Sequence, residues 1–409
     1  MNYETHTLFS GLRVILLPQT SDVVYCGIAV KAGTRHEAAG EEGLAHFCEH
    51  LAFKGTRRRS AVQIINSLEG VGGELNAFTG KEDTVYYAAT TRNHLALAVD
   101  VLCDIVFQSQ YPEHEVEKER EVVCDEIESY EDSPSELIYD DFENQLFAGH
   151  PLGHNILGSS EQVRRFTGED ARRFARRYYR PDNAVFFLSG RVEMAYLLRL
   201  LTRSMEGVAA TPFPAPVPSA TLPPLPASLL TTRQRSTHQT HVMMGTRAFS
   251  AADSRRWPLI LLNNIIGGPG LNSRLNIALR ERRGLVYTVE SQMVCYSDTG
   301  LWSVYFGCDP ADASLCCRLV RRVFNGLMVR GLSEAQLRRA KQQLRGQLAI
   351  ASDNREQFAL DAAKTFLHEG RERNLDAILS HIDAVTADEL YQTANLLFDP
   401  NRILTLIYQ

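Results

Sequence analysis

Two stretches of the chain follow the same pattern: TGEDARRFARRYYRPDNAVFFLSG at Thr167–Gly190 and TADELYQTANLLFDPNRILTLIYQ at Thr386–Gln409. Each opens with a threonine that can cap a helix, and a proline follows 14 residues later, at Pro181 or Pro400. Apolar and β-branched residues then favour a strand. Each stretch therefore predicts a capped helix, a proline stop and a final strand.

A second pair of segments repeats in the same order. DTVYYAATTRNHLALAVDVLCDIV begins at Asp83 and TGLWSVYFGCDPADASLCCRLVRRVF begins at Thr299. Both indicate a strand that runs into an amphipathic helix. Two matches in one order indicate a duplicated unit of the α+β class, in which each mixed, mostly antiparallel sheet faces a core on one side and helices cover that side.

The length of 409 residues also favours two domains, because one hydrophobic core rarely serves so long a chain. The segment TPFPAPVPSATLPPLPAS, from Thr211, is too rich in proline for a helix or a central strand. We therefore predict an N-terminal domain at 1–210, a linker at 211–230 and a C-terminal domain at 231–409.

Composition and charge exclude several classes of function. A net charge of −6 and a pI near 6.1 give no electrostatic reason to expect nucleic acid or an anionic membrane as partner. The first residues do not have the pattern of an export signal, and no apolar run approaches the length of a membrane span. The eight cysteines form no CxxC pair, so we expect reduced thiols in a cytoplasmic protein.

The motif HFCEH, His46–His50, carries the chemistry. On a helix His46, Glu49 and His50 lie on one face, whereas Cys48 points the opposite way into the core. Two imidazoles one turn apart suit zinc, and a carboxylate beside the second histidine suits a general base. The alternative interpretation is an exposed helix that merely carries polar residues.

A catalytic zinc needs a third protein ligand, and the acidic run EHEVEKEREVVCDEIESYEDSP offers candidates. On a helix most of these acids cluster on one solvated face. Glu119 and Glu126 lie two turns apart on the side that carries the valines. A carboxylate on a buried face needs a compensating charge, and a metal ion provides one.

These motifs resemble the pitrilysin/insulinase family of zinc metallopeptidases, the inverted-zincin group, and especially its short bacterial and mitochondrial-processing-type members. The resemblance covers nearly the whole chain. It implies Glu126 as the third zinc ligand and Glu119 as an auxiliary acid. The segment GGELNAFTGKEDTVYY, from Gly72, resembles the family's peptide-binding edge strand and implies five substrate-binding residues: Gly73, Asn76, Ala77, Phe78 and Thr79. SRLNIALRERRGLVYTV, from Ser273, implies Arg280 and Tyr287 as groups that stabilise the oxyanion.

By this resemblance we expect two related domains that face each other like a clamshell. The N-terminal domain is then the zinc-binding catalytic one, with one zinc ion per chain. The expected reaction is hydrolysis of unstructured peptides, with Glu49 as general base. Family members of this length usually form pairs. Because one chain carries both the zinc motif and the Arg/Tyr segment, a homodimer is favoured, while a heterodimer with a homologous subunit stays open. Removal of a leader or targeting segment and a non-catalytic scaffold role are the alternative functions.

Overall fold

A computed structural model describes residues 3–208, 221–235 and 237–409 of the protein. In these ranges the strands are β1 (Glu4–Thr7), β2 (Arg13–Pro18), β3 (Val23–Val30), β4 (Glu74–Thr79), β5 (Thr84–Thr91), β6 (Ala184–Gly190), β7 (Leu230–Arg233), β8 (Thr240–Ala248), β9 (Val286–Cys295), β10 (Gly300–Cys308) and β11 (Leu404–Tyr408).

The α-helices of the same ranges are α1 (Leu44–Ala52), α2 (Ala61–Glu69), α3 (Leu95–Phe107), α4 (Glu113–Glu131), α5 (Pro134–Leu146), α6 (Ser160–Val163), α7 (Gly168–Tyr178), α8 (Met194–Ser204), α9 (Arg256–Gly267), α10 (Ala313–Arg330), α11 (Glu334–Ala351), α12 (Arg355–Glu369), α13 (Leu375–Ala384) and α14 (Ala387–Leu397). Short 3-10 helices cover Thr34–His36, Arg92–His94 and Pro181–Asn183, and Asn276–Glu281 is π-helical. No helix of the described ranges is long and apolar enough to span a membrane.

The repeated segments of the sequence form matching elements. Thr167 and Thr386 each cap a helix, α7 and α14, by accepting a hydrogen bond from the backbone N–H three residues on. The strands that follow the two prolines are β6 and β11. The second pair of segments likewise forms β5 with α3 and β10 with α10.

Two sheets, as far as the structure describes the chain, carry these repeats. The first has six strands in the order β1-β2-β6-β3-β5-β4, and the second has five in the order β7-β11-β8-β10-β9. In each sheet one pair is parallel, β2 with β6 and β7 with β11, and the others are antiparallel. From β2 and β7 onward the two orders match strand for strand. The predicted α+β class with two related, mostly antiparallel sheets is confirmed.

The chain forms two compact units that interleave in sequence. One contains Met1–Glu128, His154–Pro218 and Ala351–Asn374, and the other contains Ser129–Gly153, Ser219–Ile350 and Leu375–Gln409. They differ from the continuous domains 1–210 and 231–409 predicted above, because each half of the sequence gives one helical segment to the other unit. Residues 211–220 of the predicted linker lie outside the described residues.

These exchanged segments cover the second face of each sheet. In the first unit α12 packs Phe358 and Leu367 against Ile15, Val185 and Phe187 of the sheet. The other helices of this unit cover the opposite face. The expectation of a core on one side was therefore wrong: both faces are buried, which explains why every residue of β6 is buried.

The second unit has the same three layers. Its α5 packs Phe142 and Leu146 against Met243 and Leu406 on one face of the sheet. A larger apolar cluster, which includes Trp302, Phe324 and Phe398 among its buried residues, lies on the other face. The helices α5 and α12 occupy the same place in the two repeats, each following a long helix, α4 or α11. Each repeat of the sequence therefore gives the equivalent helix, α5 or α12, to the other compact unit.

Candidate metal centre

The helix α1 begins at a glycine with a left-handed backbone. Gly43 has a φ of +97° and offers no side chain to cap the helix. The carboxylate of Glu37 fills this role by accepting hydrogen bonds from the N–H groups of Gly43 (3.1 Å) and Ala45 (2.7 Å). His154 Nε2 lies 2.8 Å from the same carboxylate. Burial raises the pKa of Glu37, although these hydrogen bonds oppose the rise. The first turn of α1 is thus held in place by a buried side chain.

Three polar side chains share one face of α1. His46 and Glu49 are buried and His50 is partly exposed. The rings of His46 and His50 have centroids 4.5 Å apart and cross at 61°. Cys48 lies in the apolar core with no exposed surface, on the side that the helical spacing predicts.

The carboxylate of Glu126, on α4, meets both imidazoles. Its oxygens lie 3.8 Å from His46 Nε2 and 3.4 Å from His50 Nε2. Ligand atoms of the three residues lie within 4.8 Å of one another, and no other such trio occurs in the described part of the chain. Two ligands about 2.0–2.2 Å from a tetrahedral zinc are roughly 3.3–3.5 Å apart, which these separations approach. Two imidazoles and a carboxylate therefore fit zinc in both chemistry and spacing.

The two histidines differ in their electrostatics. Burial lowers the pKa of His46 to about 4, and the neighbouring His50 adds to the effect. Burial also lowers the pKa of His50, but hydrogen bonds with Glu119 and Glu126 outweigh it and raise this pKa to about 9. Because a metal binds neutral imidazole, a metal at this site would have to displace the proton that these contacts favour on His50.

Glu119 acts on His50 from the side away from Glu126. Its Oε1 lies 2.9 Å from His50 Nδ1, and its Oε2 lies 2.7 Å from Lys54 Nζ. A carboxylate at one ring nitrogen fixes which nitrogen faces a metal, here Nε2. Burial raises the pKa of Glu119, but the hydrogen bonds with His50 and Lys54 outweigh it and lower this pKa. Glu119 is thus a charged neighbour of a ligand and does not belong to the converging trio.

Glu49 lies on the same helical face as the two histidines. Thr79 Oγ1 donates a hydrogen bond of 2.5 Å to Glu49 Oε2, which leaves Oε1 without this restraint. Burial raises the pKa of Glu49, and the hydrogen bond from Thr79 opposes the rise. A carboxylate whose pKa lies above its ordinary value is better suited to proton transfer than a fully exposed one.

The strand β4 brings the predicted peptide-binding residues to this site. Among the described strands it pairs with β5 alone, so its other edge is free. Gly73 precedes the strand and Asn76 lies within it. Side chains alternate between faces, so Ala77 packs with the helical core and Phe78 packs on the side of α12. Thr79, the last residue, contacts Glu49, and the free edge therefore ends beside the candidate base.

Arg280 and Tyr287 belong to the second unit. Arg280 lies in the π-helical segment, and its guanidinium carbon is 5.8 Å from the centre of the Tyr287 ring. Tyr287 is the second residue of β9, and 83% of its surface is exposed. In this unit α9 takes the place of α1 in the repeat, yet its sequence RWPLILLNNIIG offers no histidine or acid. The role of Arg280 and Tyr287 as oxyanion-stabilising groups stays a prediction.

Sequence reasoning missed three residues that support the site. Glu37 lies outside the motif and His154 lies far from it in sequence, and no pattern indicates that Glu37 caps α1 or that His154 contacts Glu37. Lys54, which pairs with Glu119, lies four residues after His50. That helical spacing was the available signal, because residues i and i+4 share a face.

Family comparisons agree with this geometry. The family model described as insulinase (peptidase family M16) matches residues 13–160, and the model described as peptidase M16 inactive domain matches residues 165–344. A protein of Streptomyces coelicolor named an uncharacterized zinc protease is 34% identical over 95% of this chain and 85% of its own length. A Bacillus subtilis protein with the same description is 31% identical over 98% of this chain and 97% of its own length. The chain belongs to the M16 peptidase family, also called the pitrilysin or insulinase family.

Solved structures show the same fold. A protease from Helicobacter pylori superposes with a TM-score of 0.88 at 22% identity, covering 100% of this chain and 99% of that chain. A structure from Pseudomonas fluorescens titled as a peptidase M16 inactive domain gives a TM-score of 0.91 at 18% identity, covering 100% and 98%.

The different contacts of two acids on α4 predict different effects of the same substitution. Glu126→Gln should nearly abolish zinc binding, because an amide is a far weaker ligand than a carboxylate. Glu119→Gln should cost about 10–100-fold in zinc affinity or activity, as loss of a hydrogen-bond partner of a ligand typically does. Zinc affinity measured by competition with a chromophoric chelator checks both values.

Glu121→Gln is the matched control, because Glu121 is an exposed acid of the same helix. It should bind zinc as the wild type does. If Glu119→Gln loses zinc while Glu126→Gln retains it, the two acids have exchanged roles.

Proposed function

We propose that this protein is a zinc-dependent endopeptidase that hydrolyses unstructured peptides. The observation that carries the proposal is the convergence of His46, His50 and Glu126 beside the buried carboxylate of Glu49. The names of the relatives as zinc proteases support it further. One zinc ion per chain is part of the proposal.

In the proposed reaction His46 Nε2, His50 Nε2 and the Glu126 carboxylate hold the metal. Zinc bound there supplies a Lewis acid that lowers the pKa of water into the neutral range. Glu49 takes the proton of the attacking water and later gives it to the leaving amine. Thr79 holds Oε2 of Glu49, so Oε1 is the oxygen available for these transfers.

The free edge of β4 is the proposed place for the substrate. Its backbone N–H and C=O groups can pair with an extended peptide, a mode that requires an unfolded segment and reads shape more than sequence. Since β4 ends at Thr79, which contacts Glu49, a peptide on this edge passes the candidate base. Internal hydrogen bonds keep most segments of a folded protein from pairing with β4 in this way, so we expect folded proteins to resist cleavage.

Arg280 and Tyr287 complete the proposed machinery as cationic and phenolic donors to the oxyanion of the tetrahedral intermediate. Because one chain carries both the metal motif and these two residues, a homodimer of active subunits is favoured over division of the two sets between different subunits. The proposal also includes a cytoplasmic location, as predicted from the composition.

The direct test is metal analysis together with peptide cleavage. Protein purified without chelator should contain about one zinc per chain, and it should cut members of a defined peptide library at internal bonds, read by mass spectrometry. Cleavage should stop after chelation and return with added zinc. Zinc-free protein purified without chelator, or zinc-loaded protein that cuts no peptide, would contradict the proposal.

The role of Tyr287 predicts a specific kinetic effect. Tyr287→Phe should lower kcat by about 100-fold or more, as loss of one oxyanion donor does, and should change KM far less. Steady-state kinetics on one cleaved peptide checks this. Tyr391→Phe, at another partly exposed tyrosine of the same unit, is the control and should behave as wild type. A normal kcat for Tyr287→Phe removes this residue from the mechanism.

A further inference from the structure

The loop that follows the metal-binding helix, Lys54–Ser60 with sequence KGTRRRS, is held firmly to the first unit. Gly55 forms a β-bridge with Ser60, and Thr56 forms one with Ser109. The hydroxyl of Thr56 donates a hydrogen bond of 2.8 Å to the carboxylate of Asp104, on α3. The loop therefore has a defined conformation from its start.

Two arginines of this loop strengthen the attachment. Arg58 Nε lies 3.1 Å and Arg59 Nη1 lies 2.6 Å from the carboxylate of Asp104, which has no exposed surface. Both arginines also pair with Asp100, one turn earlier on α3. Two guanidinium partners and a hydroxyl donor offset the cost of burying the negative charge of this carboxylate. These contacts fix the loop to α3. They therefore also fix the direction in which the side chain of Lys54 extends from the backbone.

Lys54 points to the carboxylate that orients His50. Its Nζ lies 2.7 Å from Glu119 Oε2, whereas Oε1 of the same carboxylate lies 2.9 Å from His50 Nδ1. The Glu119 side chain is 4% exposed and that of Lys54 is 28% exposed. Each oxygen of Glu119 thus has its own partner, and the carboxylate can turn only by breaking one of the two bonds.

The charges around His50 explain why this contact matters for metal binding. Glu119 and Glu126 both act on His50, and the negative charge of Glu119 works against that of Glu126. Two carboxylates around one imidazole repel each other unless a cation offsets one of them. Lys54 is the cation that contacts Glu119, and it does not contact a member of the converging trio in the described structure.

From this geometry we propose that Lys54 is a positioning residue of the metal centre. It fixes the Glu119 carboxylate in the orientation that meets His50 Nδ1, so that His50 presents Nε2 to the metal. The inference deepens the proposed function and rests on it, because it assigns Lys54 a task only if the trio binds zinc. Lys54 itself touches neither the metal nor the substrate.

The test compares Lys54→Met, Lys54→Arg and the control Lys118→Met in the full-length protein. Lys118 is a suitable control because it lies next to Glu119 in sequence but is largely exposed and pairs with Glu115. Lys54→Met keeps most of the apolar stem and removes the charge, so zinc affinity should fall about 10-fold or more, the range for groups that support a ligand. The kcat at saturating zinc should fall more than KM rises. Lys54→Arg should recover part of the loss, and Lys118→Met should match the wild type.

A double-mutant cycle connects the effect to Glu119. In Glu119→Gln the carboxylate is absent, so adding Lys54→Met should cost little further zinc affinity. If the losses of zinc affinity in Glu119→Gln and Lys54→Met add fully in the double variant, the inference is overturned. It is also overturned if Lys54→Met binds zinc as the wild type does, or if Lys54→Arg binds zinc no better than Lys54→Met. Wild-type protein that binds no zinc would instead contradict the proposed function itself, so the two failures are distinguishable.

Discussion

His50 lies between two carboxylates, with Glu126 at Nε2 and Glu119 at Nδ1. This arrangement needs α1 and α4 to pack in one register, because a shift of α4 by one residue would turn both acids away from the imidazole. The surrounding features serve this register. Glu37 holds the first turn of α1, Lys54 holds Glu119, and the arginines after Lys54 fix their loop to α3.

The duplicated fold places this chemistry in one of its two units. Both repeats build the same sheet order and both exchange a helix, yet α9 of the second unit carries no histidine or acid where α1 carries HFCEH. The second unit instead displays Arg280 and the exposed Tyr287. The second unit therefore presents different side chains on the same scaffold.

Local patterns in the sequence predicted much of this structure. The side of α1 that carries His46, Glu49 and His50 follows from helical spacing, and so does the different orientation of Cys48. The capped helices at Thr167 and Thr386 follow from residue types at fixed distances. The exchange of α5 and α12 did not follow, because the periodicity of an amphipathic helix indicates that one face is buried but not against which sheet. The capping role of Glu37 was not predicted for a related reason. A cap supplied by a residue outside the helix leaves no local sequence pattern.

In the proposed mechanism Glu49 acts as a base beside a zinc ion held by His46, His50 and Glu126. Glu49→Gln tests this role, because the amide keeps the size of the side chain and its contact with Thr79 but cannot accept the proton. Zinc content and peptide turnover are measured on the same purified sample. We expect about one zinc per chain, as in the wild type, with turnover reduced by a factor on the order of 100 or more. Wild-type turnover in zinc-loaded Glu49→Gln would rule out this role of Glu49.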